Sequence, residues 1–245
     1  MKGNDLRSYS LMYVPGLLIY VCFMLIPIIL CFYYAFFDWN GINSKMNFVG
    51  FDNFVKGLSD KQFHRALYVT LFITVISTII VNAFGILFAV LLNKKGKLTN
   101  FYRSVFFFPL LLSPVAVGFI WKSIINYNGL LNMVLQRMNI EKIQFLGDPQ
   151  WSVLTIAGIA IWQSTGFIIV IYLAGLQTIP KELYDAASID GASRLSQFNN
   201  ITFPLLAPSF TMGIVFMFTG MMREYDRIAV LTQQQDLRKR SPIRS

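Results

Sequence analysis

Five stretches of the chain carry no charge and are mainly apolar: residues 11–37, 66–92, 104–121, 152–178 and 205–222. Each reaches the roughly 17–25 residues that a helix needs to cross a bilayer core. A lone strand would leave its backbone groups unpaired in hydrocarbon, so the pattern predicts helices. The expected fold class is all-α, a polytopic membrane helical bundle with five spans. The first stretch is too long for the apolar core of a cleaved signal peptide and is expected to be an uncleaved span. Pro15, Pro27, Pro109 and Pro114 lie within or at the edges of spans. The pair Pro109 and Pro114 predicts that the third span is kinked or broken.

Composition agrees with a membrane protein. Of 245 residues, 55% are hydrophobic and only 13% charged, outside the range of ordinary soluble domains. The formal net charge is +9, but no basic helix face is interleaved with aromatics, so nucleic acid is not an expected partner. Lys and Arg fall mostly in short loops and the tail, where they meet lipid headgroups and set orientation. Lys94, Lys95, Lys97 and Arg103 fall between the second and third spans with no acid among them, which places that turn in the cytoplasm. The amino terminus and residues 179–204 then lie on the same side. The tail, 223–245, would lie outside although it carries Arg223, Arg227, Arg238, Lys239, Arg240 and Arg244, against the positive-inside rule. Cys22 and Cys31 sit inside an apolar run without metal-ligand spacing and read as buried or lipid-facing thiols.

Polar residues inside the spans are the candidate functional groups. Thr70, Thr74, Thr78 and Asn82 recur every four residues, with Ser77 beside them, on one helix face. The plainer account is bonding to neighbouring helices or to their own helix; the sharper one is a lining for a solute path. Gln163-Ser164-Thr165-Gly166 lies mid-span beside Trp162, and an amide at that depth needs a partner. With an aromatic next to it, Gln163 is the kind of group that holds a sugar hydroxyl. His64 reads as a solvated loop residue. No phosphate-binding loop, nucleophile elbow or zinc-protease motif occurs. No carboxylate lies within a span to relay protons or sodium, which argues against an ion-coupled transporter.

Between the last two spans the sequence reads IPKELYDAASIDGASRLSQFNNITFPLLAP. Pro180 suits a first helical turn, and Glu182 and Asp185 lie near a positive helix start. Leu183, Ala186 and Ala187 share a small apolar face. Gly191 supplies a turn, and Asp190 is expected to cap the helix that follows over residues 192–200. Such a polar unit between two spans is most simply a docking element.

This segment resembles the EAA loop of the permease subunits of bacterial ABC importers. Asp185-Ala186-Ala187, Gly191 and Ile201-Thr202-Phe203-Pro204 fall at the spacing of that motif, with Asp replacing Glu and Phe replacing Leu. Phe36-Phe37-Asp38-Trp39, Phe48-Val49-Gly50-Phe51-Asp52-Asn53-Phe54, Ser113-Pro114-Val115 and Gly129-Leu130-Leu131-Asn132 are similar to other segments of the carbohydrate-uptake branch. Tyr225-Asp226-Arg227-Ile228 and Leu231-Thr232 resemble the loop after the fifth span. The resemblance implies a bacterial inner-membrane permease that pairs with a second homologous permease, two ABC ATPase subunits and an extracytoplasmic solute-binding protein. It implies no catalytic residue, cofactor or metal in this chain. The implied ATPase-coupling residues are Glu182, Asp185, Ala186, Ala187, Asp190, Gly191, Ile201 and Pro204. The candidate path residues are Thr74, Thr78, Asn82, Trp162 and Gln163.

The chain is thus expected to divide into a cytoplasmic amino terminus (1–10), a transmembrane domain (11–222) with a coupling loop (179–204), and an atypical basic tail (223–245). Such permeases usually continue into a sixth span, whereas here Gln233-Gln234-Gln235-Asp236 and a basic stretch follow, which reads as a shifted frame or truncation. Competing readings are a permease for a non-sugar solute such as glycerol phosphate or a polyamine, an ion-coupled carrier, and a non-transporting membrane protein.

Overall fold

A computed structural model describes residues 13–42, 45–94, 96–224 and 231. The expected amino-terminal segment and nearly all of the basic tail, including Tyr225–Ile228, lie outside the described residues. The chain forms two compact units, residues 1–67 and 68–245.

The first unit opens with α1 (Tyr13–Tyr34), which contains a π-helical stretch at Val21–Leu25. Its side chains, Cys22 and Cys31 included, are largely exposed, as an apolar helix in lipid requires. The span ends before Phe37: Phe37–Asp38 (β1) pairs antiparallel with Asn47–Phe48 (β2). A short helix, α2 (Asp52–Ser59), follows. The Asn53 amide donates to the carbonyls of Ala35 and Phe37, both at 3.0 Å, and so ties α2 to the chain just past the end of α1.

The long helix α3 (Lys61–Leu92) runs from the first unit into the second. His64 is therefore not a loop residue; it lies on the first turn of α3, exposed, with Nδ1 2.8 Å from the Asp60 carbonyl. The expected third span is broken. It comprises α4 (Lys97–Phe107), a 3-10 turn (Phe108–Leu111) and α5 (Pro114–Ile124), bent by 100°. Pro114 occupies the first turn of α5, and the Ser113 hydroxyl caps it by accepting from the Ala116 amide at 3.2 Å. A short α6 (Leu130–Arg137) precedes α7 (Pro149–Gln177). Buried Asn132 staples the chain between them, donating to the Ile143 carbonyl at 3.0 Å and accepting from its amide at 2.9 Å. After α8 (Lys181–Ile189) come α9 (Arg194–Leu205), with a π turn at Phe198–Thr202, and α10 (Ala207–Met222). The last two are bent by 66°. The described residues therefore hold three continuous helices long enough to cross a membrane, or five spans if each bent pair counts as one.

Helix order follows from two buried clusters in the second unit. One gathers Ala89 and Leu92 from the end of α3 with Leu176, Ile179 and Leu206 around the end of α7. The other gathers Ile73 from early α3 with Ile156 and Ile159 from early α7, plus Ile125 and Leu231. So α3 and α7 run parallel, and the turn after α3 lies at the same end as the segment after α7. The shared cytoplasmic side expected for those two segments rests on that arrangement and the basic turn. Arg103 adds a second function to that turn: its guanidinium donates to the Leu92 carbonyl from Nε at 3.1 Å and Nη2 at 2.5 Å, closing the end of α3.

In lipid, burying an apolar side chain against another helix gains little over burying it in acyl chains, so close packing and hydrogen bonds hold the bundle. The seam follows that rule. A Cβ on Gly213 of α10 would stand 2.8 Å from Asn82 Oδ1 and 2.9 Å from the Tyr172 hydroxyl, so only glycine lets the three helices meet there. Gly85 of α3 is packed likewise against Ile168, and Gly166 of α7 against the Phe106 carbonyl.

Candidate functional site

The segment joining α7 to α10 folds as an elbow at the same end of the bundle as the turn after α3. Pro180 is extended (ψ 136°) and directs the chain out of α7 into α8. At the far end Gly191 is left-handed (φ +74°). The Ala192 amide donates to the Ala187 carbonyl at 2.9 Å and the Gly191 amide to the Ser188 carbonyl at 3.2 Å. These are the paired bonds of a Schellman stop. Nothing lies within 4 Å of a Cβ built on Gly191, so its backbone conformation, and not space inside this chain, calls for glycine.

Asp190 does not cap the next helix, contrary to the sequence expectation. It closes α8, its amide donating to the Ala186 carbonyl at 3.0 Å, and the cap of α9 is Ser193, whose hydroxyl accepts from the Ser196 amide at 3.3 Å. The left-handed turn at Gly191 delays the return to helix by two residues, and a capping oxygen must directly precede the first helical turn.

The elbow has a distinct inner and outer face. Inward, Tyr184 and Ile201 pack on the bundle core, and the Tyr184 hydroxyl lies 2.9 Å from that of buried Thr202. Ile201, half-buried against that core, thus supports the elbow from beneath. Gln197 ties the second arm to the first, its amide donating to the Ser188 hydroxyl at 3.0 Å. Outward, Glu182, Leu183, Asp185, Ala186, Asp190 and Pro204 are exposed, while Ala187 is half-buried. Two apolar residues outside the implied coupling set project furthest: Ile189 is 87% and Leu195 70% exposed. Their signal was present, since an apolar residue on each side of a glycine turn has no core to enter. Tyr184 could have been found too, as the one aromatic on α8.

The candidate path residues fall into two groups. Thr74, Thr78 and Asn82 line one buried seam on α3. Asn82 donates to the Thr78 carbonyl at 2.7 Å and accepts from the Tyr172 hydroxyl. The hydroxyl oxygens of Thr74, Ser77 and Thr78 are buried and have no hydrogen-bond partner among the described residues. Gln163 and Trp162 belong instead to the break in the third span. Gln163 donates to the Leu112 carbonyl at 2.8 Å, an acceptor exposed by the break. Trp162 is partly exposed and meets Trp121 edge to face at 5.5 Å. Thr165 is turned to its own helix, donating to the Ile161 carbonyl at 2.6 Å.

These features agree with comparisons to known proteins. A probable permease of a starch degradation products transport system, AmyD of Thermoanaerobacterium thermosulfurigenes, is 34% identical over 230 residues, covering 91% of this chain and 76% of its own. The trehalose/maltose transport system permease MalF of Thermococcus litoralis is 30% identical over 233 residues, covering 95% and 79%. The fold matches a chain in the crystal structure of a bacterial ABC transporter that imports alginate, with TM-score 0.77, 23% identity, and 96% of this chain and 86% of that one covered. The family model for binding-protein-dependent transport system inner membrane components matches residues 81–244, about two thirds of the sequence. The chain belongs to that family, as a multi-pass inner-membrane permease subunit of an ABC importer.

Proposed function

We propose that this permease translocates a sugar or oligosaccharide received from an extracytoplasmic binding protein, driven by separate ATPase subunits that grip the elbow at Lys181–Ile189. The observation that carries the reading is the elbow itself: a short helix braced from within by Tyr184 and Ile201, stopped by Gly191, and presenting acids and bare apolar side chains outward. Glu182, Asp185 and Asp190 offer charge to basic groups on the motor subunit. Small Ala186 lets the helix lie close, and Ile189 and Leu195 seat in its cleft. Pro204, exposed at the end of the second arm, fixes the angle at which motion enters α10. A second homologous permease completes the pathway.

Sugar as the cargo class is supported by the names of the relatives, which include a multiple sugar-binding transport system permease of Streptococcus mutans at 32% identity. Thr74 and Thr78 fit a path that is shut in this conformation. A buried hydroxyl without a partner costs about 1–3 kcal/mol, a cost removed if the seam opens to water or solute. Trp162, already at the surface, offers a ring face to a pyranose, and Gln163 holds the break beside it. Residues 11–222 form the transmembrane domain in this reading, with 179–204 as the coupling loop.

The test is a reconstituted complex with ATP inside the vesicles and radiolabelled oligosaccharide with binding protein outside. Uptake should depend on ATP and fall when Ile189→Glu is introduced. Uptake of a polyamine or glycerol phosphate in place of every sugar tried would refute the cargo class. Intact uptake in Ile189→Glu would refute the docking face.

A further inference from the structure

The helix α2 carries an apolar stripe that its own unit leaves largely exposed. Phe51, Phe54, Val55 and Leu58 follow the i, i+3, i+4, i+7 rule and occupy an arc of about 100°. Phe51 is 71%, Val55 60% and Leu58 66% exposed. Asp52, Asn53, Lys56, Ser59 and Asp60 take the opposite side, so the separation of faces is complete over the segment.

Two connections fix where this helix stands. At its start, the Asn53 amide binds the Ala35 and Phe37 carbonyls directly after the last turn of α1. Phe36 packs against both Phe51 and Phe54, each at 5.4 Å between ring centres. The stripe therefore begins level with the end of a membrane span. At its finish, Asp60 alone separates α2 from α3. The uncharged part of α3 starts at Ala66, six residues on, or about 9 Å along a helix. Headgroup layers are roughly 5–8 Å deep, so the start of α2 is held at headgroup depth and its finish no further out than about the layer's outer edge. Tyr33 packs on Phe37 and Tyr34 on Trp39 at the same end of α1, and Tyr and Trp are the rings enriched at membrane interfaces.

We propose that α2 is an interfacial helix, lying along the membrane surface with Phe51, Val55 and Leu58 sunk to the boundary between headgroups and acyl chains. Its occupant is lipid, because both tethers place the stripe where lipid is the medium at hand. The helix acts as a float after α1, fixing how deep that span sits. This inference does not depend on the cargo or on the motor contact.

Spin-label accessibility tests it. The full chain, purified with its partner subunits and carrying Cys22→Ser and Cys31→Ser, is labelled singly at Val55→Cys, Leu58→Cys, Lys56→Cys or Ser59→Cys. All four positions are exposed, so the labels displace no packing. In vesicles of phosphatidylcholine and phosphatidylglycerol, collision with oxygen reports hydrocarbon and collision with a water-soluble nickel chelate reports solvent. The oxygen-to-nickel ratio should be several-fold higher at 55 and 58 than at 56 and 59. Equal ratios on the two faces would overturn the proposal, since the helix then stands in water. Low collision with both reagents at 55 and 58 would also overturn it, because a protein partner then covers the stripe.

Discussion

Replacing Gly191 gives the sharpest test of the elbow. Its φ of +74° lies in the left-handed region, where an L-residue pays roughly 1–2 kcal/mol and a β-branched one more. Nothing surrounds a built Cβ within 4 Å, so no steric term within this chain adds to that cost. The margin holding the elbow is small. With nine residues, α8 is shorter than the roughly 12–15 at which even favourable isolated helices become stable. It relies on the Schellman bonds at Gly191 and Ala192 and on the Tyr184–Thr202 contact. A penalty of about 2 kcal/mol lowers the population of the elbow geometry by a factor of roughly 30 against its alternatives. Gly191→Val should therefore cut oligosaccharide uptake by an order of magnitude or more while ATP hydrolysis and membrane insertion persist. Gly191→Ala should fall between, and Gly191→Asn, which tolerates the left-handed region, should retain most of the coupling. The assay is the ratio of solute moved to ATP hydrolysed in proteoliposomes. Wild-type coupling in Gly191→Val would refute the reasoning. So would equal damage from Asn and Val, because the position would then be intolerant of any side chain through partner contact, not through its backbone.

Three further outcomes follow from the buried polar groups. Thr74→Val removes a hydroxyl without a partner and should leave thermal stability unchanged or raised by about 1 kcal/mol while KM for uptake rises; a lower melting temperature would reveal a partner for the hydroxyl. Tyr172→Phe removes the donor to Asn82 at the meeting point of three helices and should cost about 0.5–2 kcal/mol, read as a lower midpoint in detergent unfolding; an unchanged midpoint would show that the bond contributes nothing. Gln163→Leu strips the Leu112 carbonyl of a partner and should lower both kcat and thermal stability; a rise in KM alone would instead make Gln163 a cargo contact.

Much of this architecture was legible in the sequence because lipid imposes strict rules. Charge-free length located the spans, and Pro109 with Pro114 announced the broken third one. The spacing from Asp185 through Gly191 to Pro204 marked the elbow, since a glycine turn between two short amphipathic arms has few other uses. What stayed hidden was tertiary. The half-burial of Ile201 depends on the core it packs against, and the cap at Ser193 on how far the Gly191 turn delays the next helix. Whether Gln163 faces solute or a neighbour could not be read from its depth, because the Leu112 carbonyl comes into reach only once α5 has bent away. The same holds for Asn82, whose acceptor role needs Tyr172, ninety residues distant.

The fork from Arg103 to the Leu92 carbonyl has a consequence for biosynthesis. The final turn of α3 lacks that closing contact until the ribosome has made eleven more residues. The same guanidinium is one of the four basic groups gathered in and after that turn. Termination of one span and the start of the next are thus settled together, and the natural unit of insertion here is the helical hairpin, not the single helix.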